Sequence, residues 1–222
     1  TALNTNNSGA ATITAAATHN LVATTALQAA NNNAFNGGNN VTINATGVTT
    51  GTTTVGATAA AAGEVTVTST GATLADVVNA TVATTQTQGD ITVKGGSKIN
   101  VTSTGSVSGG SDHGSDKLTL GNVTVTGNAS TTEVTVTQTA AQSQVTGAAG
   151  TGKAAIVSGD VSVSDMNAAS TTAAGSIETV SVTNAGAVIV NSGALKTLNL
   201  GGTITSVNAG TLGALTTPAN TA

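Results

Sequence analysis

The residues of this chain best suited to chemistry are its carboxylates. Nine Asp and Glu are present. They stand mostly at the starts of strand-like segments or in the loops between them. The densest cluster is Gly109-Gly110-Ser111-Asp112-His113-Gly114-Ser115-Asp116-Lys117-Leu118. Its end, Gly114-x-Asp116-x-Leu118, matches half of a Gly- and Asp-rich nonapeptide that binds calcium in tandem copies. Calcium prefers several carboxylate and carbonyl oxygens in a flexible loop, and Asp112 and Asp116 could each give one. A plain solvated loop is the competing reading. Asp160 with Asp165, and Asp90 alone, are sparser versions of the same arrangement. The candidate calcium ligands are therefore Asp90, Asp112, Asp116, Asp160 and Asp165.

Other chemistries find less support. His19 and His113 are the only histidines. A tetrahedral zinc site needs more ligands than two separated histidines supply. Ser and Thr are so abundant that a chance Ser–His–Asp combination carries no information. A glycosidase-type carboxylate pair is left open by sequence. β-Helical glycan-cleaving enzymes, however, usually carry aromatic platforms for the sugar, and this chain has one Phe, no Tyr and no Trp. The reading is against an enzyme.

The elements that must position these residues are short β-strands. Alternating segments run from end to end: Thr12-Ile13-Thr14, Val41-Thr42-Ile43, Val65-Thr66-Val67-Thr68, Ile91-Thr92-Val93, Val123-Thr124-Val125-Thr126, Val134-Thr135-Val136-Thr137, Val161-Ser162-Val163, Val180-Ser181-Val182, Val188-Ile189-Val190 and Leu198-Asn199-Leu200. Nearly all place Val, Ile or Leu on one face and Thr, Ser or Asn on the other, and Gly, Asn or Ser punctuates the gaps. Residues 23–33 and 73–81 are read as loops or short excursions. One unit recurs: Gly, an acid or amide, a β-branched residue, Thr or Ser, then Val. It starts at Gly63, Gly89, Gly121 and Gly159, at intervals of 26, 32 and 38, so the repeat is not strict.

Charged residues make up only 6% of the chain, against roughly 25% in ordinary domains. The net charge of −4 argues against nucleic-acid binding, which wants a basic face. No apolar run approaches the length of a membrane span. With no cysteine, stability must come from repetition, calcium or assembly instead of disulfides. Small apolar residues fill a narrow stacked core better than the centre of a β-sandwich. The expected fold is therefore all-β, an elongated parallel β-solenoid (β-helix-like) with short strands and Gly/Asn turns. Residues 1–120 are expected to be an irregular solenoid segment, and residues 121–222 a more regular one. The whole, 1–222, reads as a fragment of a longer protein. Ranks of outward Thr form ice-binding surfaces in some antifreeze proteins. Here the Thr-x-Thr spacing is irregular from strand to strand, which favours Thr as a strand former on a solvated face.

Several segments, taken in order, resemble the paracrystalline surface-layer proteins of Caulobacter and its relatives, which are related to the repeats-in-toxin proteins. They are Thr1-Ala2-Leu3-Asn4-Thr5-Asn6, Gln28-Ala29-Ala30-Asn31-Asn32, residues 46–56 and, best of all, residues 123–141. The likeness spans roughly the first two-thirds of the chain and is looser around residues 89–121. It implies a solenoid-like segment of a protein exported by type I secretion to the bacterial cell surface. Calcium (Ca2+) would be the cofactor. The partners would be copies of itself in a two-dimensional lattice, and surface polysaccharide held through a domain outside this segment. The alternative is a secreted adhesin or biofilm-matrix protein on the same scaffold.

Overall fold

The computed structural model describes residues 2–6, 9–25, 29–75, 84–108, 116–142, 154–166 and 175–209. Within them every regular element is a β-strand and every strand pairing is parallel. All ten alternating segments named above lie in strands. The cause is visible in β10 (Lys98–Val107), where Ile99, Val101, Ser103, Gly105 and Val107 turn inward and the residues between them turn out.

The strands form two ranks. The first holds β1 (Ala2–Asn6), β3 (Asn20–Thr25), β5 (Val41–Val48), β7 (Val65–Leu74), β10 and β13 (Glu133–Gln142). The second holds β2 (Ala11–Ala15), β4 (Asn33–Gly37), β6 (Thr53–Val55), β9 (Ile91–Lys94), β12 (Val123–Thr126) and β15 (Val161–Ser164). The chain visits the ranks alternately. β16 (Thr179–Asn191) joins them, pairing with β13 through its first half and β15 through its second, and β17 (Thr197–Ala209) lies along β16. The result is a nearly closed, barrel-like sheet. Three short strands, β8 (Thr85–Thr87), β11 (Lys117–Thr119) and β14 (Ala155–Val157), form a second sheet.

Register at the strand starts is kept although sequence spacing is not, with shifts further along at Thr46–Val48, Thr104–Ser106 and Thr183–Ala185. Leu3, Leu21, Val41, Val65, Ile99, Val134, Val180 and Leu198 stand in register along the first rank, yet very unequal lengths of chain separate them. Extra length goes into the crossings between ranks, three of which carry the strands of the second sheet. Side chains from both ranks meet in one core, with Phe35, Val55, Val93, Val125, Val163 and Val190 stacked in the second rank. A smaller cluster, Leu74, Val107, Leu118 and Ala154, lies by the second sheet. Burying each such side chain contributes about 1.5–3 kcal/mol, so many small contacts replace the missing aromatics.

Two expectations change. Val180–Val182 and Val188–Val190 are halves of one 13-residue strand, β16. The crossing between them is so short that a single left-handed residue, Asn184 (φ 56°), turns the chain. Asn tolerates this conformation. Its Nδ2 donates to the Gln138 carbonyl at 2.7 Å, and its Oδ1 accepts the Thr203 amide at 2.9 Å. The threonines are also more regular than their sequence spacing suggests. Outward positions of β5, β7, β10 and β13 align as Thr42–Thr66–Asn100–Thr135, Asn44–Thr68–Thr102–Thr137 and Thr46–Thr70–Thr104–Thr139. The irregular intervals lie wholly in the crossings, so these three rows form an uncharged grid, bordered at the strand starts by Lys98 and Glu133. Residues 23–25 and 73–74, read as loop, close β3 and β7; residues 26–28 and 76–81 lie outside the described residues.

Candidate functional site

The acid or amide of the recurring unit stands immediately before a strand, where the chain turns into its rank. At the entry to the second rank these residues stack. The Asp90 carboxylate (Oδ1) accepts the Asn122 amide at 2.8 Å, the Asn122 side chain accepts the Asp160 amide at 2.8 Å, and Asp160 Oδ1 accepts the Ala187 amide at 2.7 Å. Earlier in the same column Asn32 Oδ1 accepts the Thr52 amide at 3.0 Å. The entry to the first rank repeats the device. Asn20 Oδ1 accepts the Asn40 amide at 3.2 Å, and Asn40 Oδ1 accepts the Glu64 amide at 3.0 Å. Asp116 does the same in the second sheet, where its Oδ1 accepts the Thr84 amide at 2.8 Å. Each side chain satisfies a backbone N–H of the neighbouring layer at the point where the sheet ladder has stopped.

The glycine before the acid has its own reason. Gly51, Gly89, Gly121 and Gly159 stack, and a Cβ on any of the last three would land on the carbonyl oxygen of the glycine one layer back. The units starting at Gly89, Gly121 and Gly159 are thus neighbours in one column. The unit at Gly63 enters the first rank instead, through β7. The interval of 26 runs between ranks; those of 32 and 38 run between layers.

Asp165 differs from the rest. It follows β15 and is only 5% exposed. Its Oδ1 accepts the amides of Ser176 at 3.0 Å and Ile177 at 3.1 Å, tying the end of β15 to the residues that lead into β16. The Ser176 hydroxyl lies 3.3 Å from the same oxygen and 2.7 Å from the Asn128 carbonyl, to which it donates more closely. Oδ2 is buried without a hydrogen-bond partner. The nearby Ser192 hydroxyl donates to the Ile177 carbonyl at 2.8 Å. Burial pushes the Asp165 carboxyl up and is the largest single influence. The neighbouring hydroxyl of Ser192, the amides of Ser176 and Ile177 and the Ser176 hydroxyl together outweigh it and hold the group below its ordinary 3.8.

The candidate ligands are therefore dispersed. Asp90 and Asp160 stand two layers apart, about 9.5 Å, with Asn122 between them, too far to share one ion at calcium–oxygen distances. Asp165 lies at the far end of β15 from Asp160, and Asp116 serves the second sheet. Asp112 and His113 lie outside the described residues. Among the described residues no three His, Cys, Asp or Glu converge on a point that could hold a metal ion. His19 is exposed, with Nδ1 3.1 Å from the Thr18 hydroxyl. The exposed pairs Lys98–Glu133 at 3.1 Å and Lys196–Glu178 at 2.7 Å tie adjacent layers and contribute about 1 kcal/mol or less each. A cavity of about 370 Å³ beside β14, reached by Gln138, Asn184 and Thr203, is lined by no titratable side chain among the described residues.

The ladder role predicts a graded response at Asp160. Asp160→Asn keeps the acceptor for Ala187 and is expected to melt within about 0.5 kcal/mol of the parent. Asp160→Ala leaves that amide to solvent and is expected to cost about 1 kcal/mol. Chemical denaturation of both variants measures the difference; equal loss in the two would remove the ladder role.

Of the amide members, Asn20, Asn32 and Asn40 were not singled out from the sequence, and Asn122 was read only as the amide of the recurring unit. The signal was present: Asn122 occupies the acid position of the recurring unit. Among the described residues no helix is long and apolar enough to cross a membrane. No protein-family model matches the chain, and a search of the curated proteins returns no significant match.

Proposed function

We infer that the two ranks are faces of a parallel β-solenoid, and that the chain is a non-catalytic structural segment of a bacterial surface layer. In this reading it is exported by type I secretion and assembles with copies of itself outside the cell in the presence of calcium. Attachment to surface polysaccharide falls to a domain outside this segment. The observation that carries the reading is the use of polar side chains. Asp90 and Asp160, which the sequence assigns to a site, bind backbone of the next layer as Asn122 does, instead of converging on a substrate. An in-register stack whose threonine-rich face carries few charges suits a part that packs against many neighbours, because close packing of low-charge surfaces brings little repulsion.

Electron microscopy of the purified full-length protein, with calcium and with chelator, tests this. Ordered sheets that disperse in chelator are the expected result. Separate rods in both conditions would replace the lattice role by that of a secreted adhesin or matrix protein, with the threonine grid as its contact face.

A further inference from the structure

The fold fixes both spacings of the threonine grid. Ten of the twelve outward positions in its three rows across β5, β7, β10 and β13 are threonine, and the other two are Asn44 and Asn100. Threonine makes up 47 of the 222 residues, so ten in twelve is a marked concentration here. All twelve are exposed or half-buried. Parallel pairing sets neighbouring strands about 4.8 Å apart and alternate residues along one strand about 6.6 Å apart. The result is a rectangular net of hydroxyl and methyl groups. On the far side of the core the same four layers repeat by one step as well. There Gly51, Gly89, Gly121 and Gly159 stack, each carbonyl standing where a Cβ on the next would fall. Two separate places thus hold the net level.

The second rank shows the contrast. It carries one outward row of hydroxyls, Thr54–Thr92–Thr124–Ser162, and Lys94 interrupts the row beside it. In the grid, the hydroxyls of Thr42, Thr66, Thr68, Thr102, Thr135 and Thr137 meet no hydrogen-bond partner among the described residues. Thr46 and Thr104, in the third row, donate to the Thr25 and Ser69 carbonyls at 3.3 and 3.4 Å. At the border Lys98 and Glu133 offset each other's charge at 3.1 Å. Uncommitted hydroxyls at two fixed spacings, with no charge among them, suit a partner that is itself a net of hydrogen-bonding groups. Hexagonal ice is such a partner, because the oxygens on one of its faces repeat at nearly these two distances. A nucleic acid needs cations, and none stands in the grid. Flat sugar rings are held by exposed aromatic rings, and the single aromatic residue, Phe35, is fully buried.

We propose that the threonine face of β5, β7, β10 and β13 binds ice. Its hydroxyl and methyl groups hold a layer of water at the spacing of the crystal surface. That layer freezes into the ice and stops growth where the protein sits. Each contact is weak, and the strength comes from many held in place at once. The stack presents them already ordered, so little ordering cost falls on binding. This activity goes beyond the surface-layer reading and does not rest on it.

The test is slow growth of an ice ball in a solution of the full chain, with the protein in the ice fraction measured on a gel, beside microscopy of ice recrystallisation. The parent is expected to concentrate in the ice and to keep the grains small. Thr102→Lys, in the middle of the grid, is expected to raise the concentration needed by about tenfold or more, because a charge pressed against ice loses its mobile water. Thr42→Lys, at an exposed position of the first row, is the second variant and is expected to act in the same direction. Circular-dichroism melts establish that each variant is folded. Thr124→Lys, exposed on the second rank, is the control and should behave as the parent does. A parent left wholly in the liquid would overturn the proposal. So would folded Thr102→Lys and Thr42→Lys proteins as active as the parent, or a loss in Thr124→Lys equal to theirs.

Discussion

Gly121→Val is expected to destabilise the protein by about 4 kcal/mol or more, at the upper end of single substitutions. The Cβ of residue 121 would fall on the carbonyl oxygen of Gly89, and the Gly121 carbonyl in turn sits where a Cβ on Gly159 would fall. The obstacle is backbone on backbone. No rotamer change relieves it, and moving one layer away breaks the bonds that β12 makes to β9 on one side and β15 on the other. Overpacking inside an ordinary core costs about 1–3 kcal/mol because side chains can yield; here they are not involved. Asn122→Ala, one residue away, removes only the acceptor for Asp160 and is the control. A circular-dichroism melt compares them. If Gly121→Val melts within a few degrees of Asn122→Ala, the column is not close-packed.

Asp165 governs the second expected result, a loss of stability in acid. Its carboxyl titrates below 3.8 in the folded protein. A depressed folded value means that the unfolded chain takes up the proton more readily. The contribution is therefore complete above about pH 4 and is lost as pH falls through the folded value. Asp165→Ala is expected to cost about 3 kcal/mol at neutral pH, because the Ser176 and Ile177 amides lose a charged acceptor. It should also flatten the stability profile below about pH 4. Denaturant midpoints of parent and variant, measured across that range, check both statements. A parent profile as flat as that of Asp165→Ala would remove the role assigned to this carboxylate.

The strands were legible because their side-chain period is two and each Val-Thr-Val run declares which face is buried. The ranks were not. Whether Gly63-Glu64-Val65 and Gly89-Asp90-Ile91 are successive copies or members of different columns depends on where the chain crosses between ranks, and crossings of such unequal length leave no period to read. The same crossings hid the threonine grid. Among the candidate site residues, Asp90, Asp116 and Asp160 were visible as carboxylates before strands. Their common duty toward a neighbouring backbone amide was legible only once Asn122 stood in line with them, because an amide and a carboxylate serve equally as acceptors. Asp165 looked like a partner of Asp160 by proximity in sequence, but the length of β15 puts them at opposite ends of a strand.

The unequal pairing of the layers has a mechanical consequence. Tension along the stack passes through every interface in turn, as through links in series, so the weakest sets the breaking load. Where β3 and β4 meet β5 and β6, only five and three residues pair. Where the layer of β10, β11 and β12 meets that of β13, β14 and β15, ten, three and four do. The Ala29–Val48 bridge adds to the first of these junctions, and the one where β13 and β15 meet β16 pairs as few residues. Under a pull the molecule would therefore part on one side or the other of its broad middle, with fuses flanking the layers that carry the second sheet.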